Sequence, residues 1–191
     1  MVYKLKVIIA STRPSRKGPL VADWFVKIAK DDPHFDVEVL DLKKIDLPLM
    51  DEPEHPRFQK YTKEHTKNWS KKIDEADAFI VVTPEYNYSF PATLKNAFDF
   101  LYKEWAEKPM GFVSYGGISA GTRSVQEIKG VVTTLNMMPL PLAVNIPMFS
   151  QFITDDGVFK GNEVSEEAAK NLLKELLRWT KALKTLREEI E

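Results

Sequence analysis

The 191-residue chain contains no cysteine. That absence excludes disulfides, thiolate-held metal centres and cysteine nucleophiles. Histidine is scarce: His34, His55 and His65 lie scattered over stretches that read as loop or helix surface, and none is assigned a catalytic role. No metal site is expected. Long apolar runs are missing too. The N-terminal stretch around Val7-Ile8-Ile9-Ala10 is too short for a signal peptide, and nothing approaches the length of a membrane span. A cytoplasmic protein without a membrane partner is the expectation. Neither charge sign dominates, with 27 lysines and arginines against 28 aspartates and glutamates. A nucleic-acid-binding face usually makes a domain basic, so no such partner is expected. Two phosphate signatures are absent. Without G-x-x-x-x-G-K-[ST] there is no P-loop, and without G-x-G-x-x-G no dinucleotide-binding Rossmann fingerprint.

What is present is an alternation of strand and helix in a length that suits one domain, residues 1–191. Val7 to Ala10 is a continuous apolar run, as in a strand covered on both faces. Leu20, Val21, Trp24, Phe25, Ile28 and Ala29 recur at helical steps. Pro19 suits that helix's first turn, and Asp31-Asp32-Pro33 stops it. Phe35 to Leu40 alternates apolar and acidic residues, as a strand nearer a sheet edge does. Residues 46–56 read as a loop. Phe58, Tyr61, His65, Trp69 and Ile73 predict a helix over 57–75. Ala78 to Thr83 is the clearest buried strand. A helix follows from Pro91 to about Tyr102, a fourth strand from Pro109 to Tyr115, a helix over 121–135, and a fifth strand from Leu140 to Ile146 whose prolines limit its pairing. Residues 148–163 read as a loose connection before a last helix capped by Ser165. Five strands separated by helices indicate a doubly wound parallel α/β sheet, whose ligands sit outside the carboxyl ends of the strands.

Three loops leave that end. The first, Ser11-Thr12-Arg13-Pro14-Ser15-Arg16-Lys17-Gly18, joins a buried strand to a helix N-terminus. Unpaired N–H groups, hydroxyls and two guanidinium groups converge there on one oxyanion. The second, Pro84-Glu85-Tyr86-Asn87-Tyr88, offers backbone donors and aromatic cover to a planar ring. The third, Ser114-Tyr115-Gly116-Gly117, brings two glycines where backbone meets a ring closely.

These segments carry a resemblance. The chain resembles the NADPH-dependent FMN reductase family of the flavodoxin-like superfamily, which includes azoreductases and quinone reductases. The family's G-S-x-R-x-x-S/R reads here Ala10-Ser11-Thr12-Arg13-Pro14-Ser15-Arg16, with alanine in place of the usual glycine. Its P-E-Y-N-x-x-x-P-x-x-L-K-N-A-x-D is intact from Pro84 to Asp99, and its S-x-G-G is Ser114 to Gly117. Trp69-Ser70 and Glu104-Trp105 match a further layout of the eukaryotic-type members.

The resemblance implies a flavodoxin-like three-layer sandwich with a five-stranded parallel sheet in the order 2-1-3-4-5. It implies FMN as cofactor and NADPH or NADH as co-substrate. Ser11, Arg13 and Arg16, with the backbone of Lys17, Gly18, Pro19 and Leu20, are then expected at the FMN phosphate. Pro84, Glu85, Tyr86, Asn87 and Tyr88 are expected along the isoalloxazine, and Ser114, Tyr115, Gly116 and Gly117 along its other edge. No side chain need act as nucleophile or base, because the hydride chemistry belongs to the flavin. The function implied is electron transfer from NAD(P)H to a small acceptor such as a quinone, free flavin, azo compound or metal chelate. The alternatives are an electron carrier and a flavin-binding sensor acting through a protein partner. A homodimer is implied, and Trp69, Phe98, Leu101, Tyr102 and Trp105 are expected as an exposed aromatic patch, with the 47–58 loop bordering the partner's site.

Overall fold

The computed structural model describes residues 1–189. Its five strands are β1 (Tyr3–Ile9), β2 (Phe35–Asp41), β3 (Ala78–Pro84), β4 (Pro109–Tyr115) and β5 (Met138–Ile146). All neighbours pair in parallel, in the order β2-β1-β3-β4-β5. The helices are α1 (Gly18–Lys30), α2 (Leu42–Ile45), α3 (Glu64–Asp74), α4 (Ala92–Asp99), α5 (Thr122–Thr134) and α6 (Glu163–Glu188). Every residue of β3 and β4 is buried, as strands covered on both faces must be. The edge strand β2 is more open, in keeping with its alternating sequence.

Two apolar cores sandwich the sheet. On one face Val21, Ala22 and Phe25 of α1 and Leu172, Leu173 and Leu176 of α6 pack against Leu5, Val7, Ile80 and Val82. On the other, Trp69 and Ile73 of α3, Leu94 and Phe98 of α4 and Val125 and Ile128 of α5 pack against Ile8, Phe79, Val81 and Phe112. The fold is thus flavodoxin-like, with the expected strand order. β1 ends at Ile9, paired with Asp41 and Val82, and β3, β4 and β5 end together two residues further on, where Pro84 pairs with Tyr115 and Tyr115 with Ile146. From β1 the chain turns to β2 on one side and later to β3 on the other, so the order reverses beside β1. That is the switch point where such sheets open a crevice.

Four expectations are corrected. The helix over 57–75 begins only at Glu64. Pro56–Phe58 is a single 3-10 turn ended by Gln59 at φ +53°, so Phe58 and Tyr61 lie outside the helix. The last helix begins at Glu163, where Asn162 Oδ1 accepts the Ser165 N–H at 2.9 Å, so Asn162 is the cap. The 148–163 connection is not loose. It holds a 3-10 turn (Phe149–Phe152) and an antiparallel bridge between Ile153 and Phe159.

The fourth concerns the aromatic patch. Trp69, Phe98, Leu101 and Trp105 are at most 1% exposed, and only Tyr102 is half-buried. Trp69 Nε1 donates to the Ala97 carbonyl at 2.9 Å, and Trp105 packs edge-on to Trp69 and Phe98. Ser70 Oγ donates to Glu104 Oε1 at 2.7 Å. The two dipeptides of the Trp-Ser and Glu-Trp layout therefore touch each other and lock α3 to the turn after α4. They are interior, because a short α4 can cover its side of the sheet only with large residues from both flanks.

Candidate functional site

The loop from Ser11 to Lys17 runs from the carboxyl end of β1 into the N-terminus of α1. That helix end carries unpaired N–H groups and a partial positive charge. Among the described residues, the N–H groups of Thr12, Arg13, Ser15 and Lys17 make no hydrogen bond within the protein; that of Arg16 bonds Arg13 O at 3.1 Å. Ser11 is fully buried, and its Oγ has no hydrogen-bond partner among the described residues. A buried hydroxyl without a partner is costly unless something else supplies one. Gly18 faces it: a Cβ there would collide with Ser11 Oγ and lie 2.8 Å from the Tyr115 hydroxyl. Glycine there lets Ser11 Oγ and the Tyr115 hydroxyl close onto the first turn of α1. Burial pushes the Tyr115 hydroxyl up to about 12, so it stays protonated and can donate.

The two arginines part company. Arg13 is exposed, in no salt bridge among the described residues, with its guanidinium 6.0 Å from the Tyr86 ring centroid. Arg16 is tied down. Its Nη1 donates to Ser11 O at 2.8 Å and to Asp41 Oδ1, and its Nη2 donates to Asp41 Oδ2 at 2.6 Å. Burial pushes the Asp41 carboxyl up, but the hydrogen bonds from Arg16 and the Lys43 N–H outweigh it and hold it below the ordinary range. Arg16 therefore braces the loop against the end of β2. Ala10, where the resemblance puts glycine, turns its methyl into the α3–α4 core rather than toward the loop. Pro19 is half-buried in the first turn of α1. Leu20 packs on the α1–α6 core and lines a separate cavity of about 990 Å³ with Trp24, Phe159 and Leu173.

After the buried Pro84, residues 86–89 form a tight turn. Tyr86 N–H donates to Ser89 O at 2.8 Å and Ser89 N–H to Tyr86 O at 3.0 Å. Asn87 and Tyr88 occupy it at φ +50° and +72°. Asparagine tolerates that geometry, but tyrosine adopts it at a cost, and such strain collects at functional sites. Tyr88 is 67% exposed. Glu85 reaches sideways: Arg123 Nε donates to its Oε1 at 2.6 Å, and Ser119 Oγ to its Oε2 at 3.1 Å.

On the third loop, Ser114 Oγ donates to Asn145 Oδ1 at 2.9 Å and so ties β4 to β5. The Tyr115 ring packs edge-on to Phe149, centroids 4.9 Å apart. The carbonyls of Gly116 and Gly117 accept the Phe149 and Met148 N–H groups at 3.2 and 3.0 Å. Gly117 is exposed, with open space where a side chain would be.

The structure thus gathers Ser11, Arg13, Lys17, Gly18, Glu85 to Tyr88 and Tyr115 to Gly117 on one rim, with Arg16 and Ser114 bracing it from behind. Sequence reasoning missed several supports. Thr93 Oγ1 donates to the Ala10 carbonyl at 2.9 Å, and Asn96 accepts the Met50 N–H at 3.0 Å while donating to Pro48 O at 2.7 Å. Asn96 lies inside the long motif, which was the available signal. Asp41 and Arg123 lie outside all three, where nothing local marked them. Each histidine is in a local contact, His34 with Asp32, His55 with the Arg57 N–H and His65 with Asp51.

A five-stranded parallel sheet in the flavodoxin-like order defines the class. Within it, the chain belongs to the NADPH-dependent FMN reductase family, whose model matches residues 3–151. An NAD(P)H-dependent FMN reductase of Schizosaccharomyces pombe is 44% identical over 140 residues, covering 72% of this chain and 70% of the relative. The NAD(P)H-dependent FMN reductase LOT6 of Saccharomyces cerevisiae is 32% identical over 157 residues, covering 76% and 82%. Among solved structures, the fold is similar to FerB, a flavoenzyme NAD(P)H:(acceptor) oxidoreductase of Paracoccus denitrificans. The TM-score is 0.72 at 21% identity, covering 96% of this chain and 98% of that one.

Proposed function

We propose that the chain is an FMN-dependent oxidoreductase that takes electrons from NADPH or NADH and delivers them to a small acceptor. The observation that carries this reading is the buried Ser11 Oγ, without a hydrogen-bond partner among the described residues, held against Gly18 at the N-terminus of α1. A phosphate accepts from hydroxyls and backbone N–H groups at once, which is what this loop offers. Arg13 and Lys17, both exposed on the same loop, add positive charge. The turn from Glu85 to Tyr88 and the backbone of Gly116 and Gly117 then flank the tricyclic ring.

FMN, when bound, supplies the hydride and electron chemistry. The chain's residues bind and orient. Ser11, Arg13 and Lys17 hold the phosphate. Tyr86 covers the ring. The exposed, open Gly117 leaves room for nicotinamide or acceptor to approach. Quinones, free flavin, azo compounds and metal chelates all remain in the acceptor class. Purified protein incubated with FMN and desalted should keep a flavin spectrum, bleach with NADPH, and recover its colour when a quinone is added. Protein that emerges colourless, or keeps flavin that NADPH does not bleach, contradicts the reading.

The homodimer implied by the resemblance would, on this reading, form through the α4–α5 face. Leu49, Phe90 and Val131 line a groove there of about 780 Å³, and Leu49 is 84% exposed. Light scattering at micromolar concentration should give the mass of two chains, and Leu49→Glu should lower it toward one.

A further inference from the structure

The Glu85 carboxylate is a junction between the loop after β3 and the segment from the loop after β4 into α5. Its side chain is only 8% exposed. One oxygen takes Arg123 Nε at 2.6 Å and Nη2 at 2.5 Å; the other takes Ser119 Oγ at 3.1 Å. Arg123 opens α5 and Ser119 lies in the loop after β4, whereas Glu85 belongs to the loop after β3. The same guanidinium lies 3.9 Å from the centroid of the Tyr88 ring, in stacking range for a cation over an aromatic face. Tyr88 is the residue whose φ of +72° needs outside support. Burial pushes the Glu85 carboxyl up, but Arg123 and Ser119 reverse that and keep it ionised.

We propose that Arg123 is a positioning residue, a clasp that grips Glu85 on one side and the Tyr88 ring on the other and so fixes the spacing between the turn at 86–89 and the loop at 116–121. The inference rests on the function proposed above, because that spacing is the width of the slot for the flavin ring. Without the clasp, the walls separate, and the strained turn relaxes away from the ring. An arginine does this because its planar fork meets a carboxylate through two N–H groups while its face stays free to stack; a lysine has one point charge and cannot do both.

The test compares wild type with Arg123→Gln, Arg123→Lys and Glu85→Gln. The first readout needs no flavin: amide hydrogen exchange at Tyr86 and Ser89, whose mutual hydrogen bonds close the turn. Both Arg123 variants and Glu85→Gln should speed exchange there and leave the central strands unchanged. The second is equilibrium titration with FMN. Misplaced binding groups lose affinity steeply, and we expect FMN to bind Arg123→Gln on the order of tenfold more weakly. Arg123→Lys should recover only part of that loss, and Arg123→Gln combined with Glu85→Gln should be no worse than either alone. Arg123→Lys that equals wild type in both readouts would reduce the effect to charge and overturn the clasp, as would Arg123→Gln with wild-type exchange and affinity. Wild-type protein that takes up no FMN contradicts the proposed function instead, and exchange at the turn then decides the clasp by itself.

Discussion

Arg13 and Arg16 are three residues apart and alike in chemistry, yet the fold gives them different work. Arg16 is about nine-tenths buried and shares two hydrogen bonds with an Asp41 carboxylate that is equally enclosed. Removing one partner of such a pair strands the other, which costs about 3 kcal/mol where the pair is well buried. Arg13 is in no salt bridge among the described residues. Arg16→Ala should therefore lower the thermal midpoint of the flavin-free protein by roughly 5–10 °C, whereas Arg13→Ala should leave it within about a degree. The order reverses for the cofactor. Arg13→Ala should lose most FMN retention and keep the turnover of whatever flavin stays bound. Scanning calorimetry and flavin content per chain check both halves. Sequence alone could not part these two residues: Asp41 lies 25 positions beyond Arg16, and only parallel pairing of β2 with β1 brings them together.

At the scale of elements, the central strands were legible because continuous apolar runs bounded by breakers leave few alternatives, and β4 was read to the residue. The segment before α3 was not. Its apolar residues fall at helical steps, but Pro56 starts a turn that cannot continue, and a carboxylate from upstream then sets the helix start. Glu52 accepts the Thr62 and Lys63 N–H groups at 2.8 and 2.9 Å. Burial pushes its carboxyl up, yet these N–H groups prevail and hold it at about 2. A carboxyl depressed in the fold stabilises most above its unfolded pKa and loses that contribution as pH falls through the folded value. The stability from Glu52 is thus fully present above about pH 4.5 and drains toward pH 2. Glu52→Gln should be less stable than wild type at pH 7, with the gap closing in acid. Urea midpoints at pH 7, 4 and 3 measure this; a constant gap contradicts it.

For the molecule as a whole, alternation of strand and helix indicated a doubly wound parallel sheet, and the resemblance implied the order of its strands, which the fold shows. What periodicity could not tell was which face of each helix meets the core. Trp69, Phe98 and Trp105 were read outward, and the fold turns them in, where they pack with Phe79, Leu94 and Phe112 on that face of the sheet. The supporting contacts of the rim were equally hidden. Thr93 to Ala10 spans 83 positions and Glu85 to Arg123 spans 38. Long-range pairs of this kind depend on topology, not on local composition.

The central claim is that this rim binds a phosphate beside a tricyclic ring. Calorimetric titration of flavin-free protein with FMN and with riboflavin tests it most directly, because the two ligands share the ring and differ in the phosphate. The account predicts FMN binding tighter than riboflavin by about a hundredfold or more, on the strength of several charge-assisted hydrogen bonds. That preference should fall sharply in Ser11→Ala and Arg13→Ala. Equal affinity for the two ligands, or no binding of either, would contradict it.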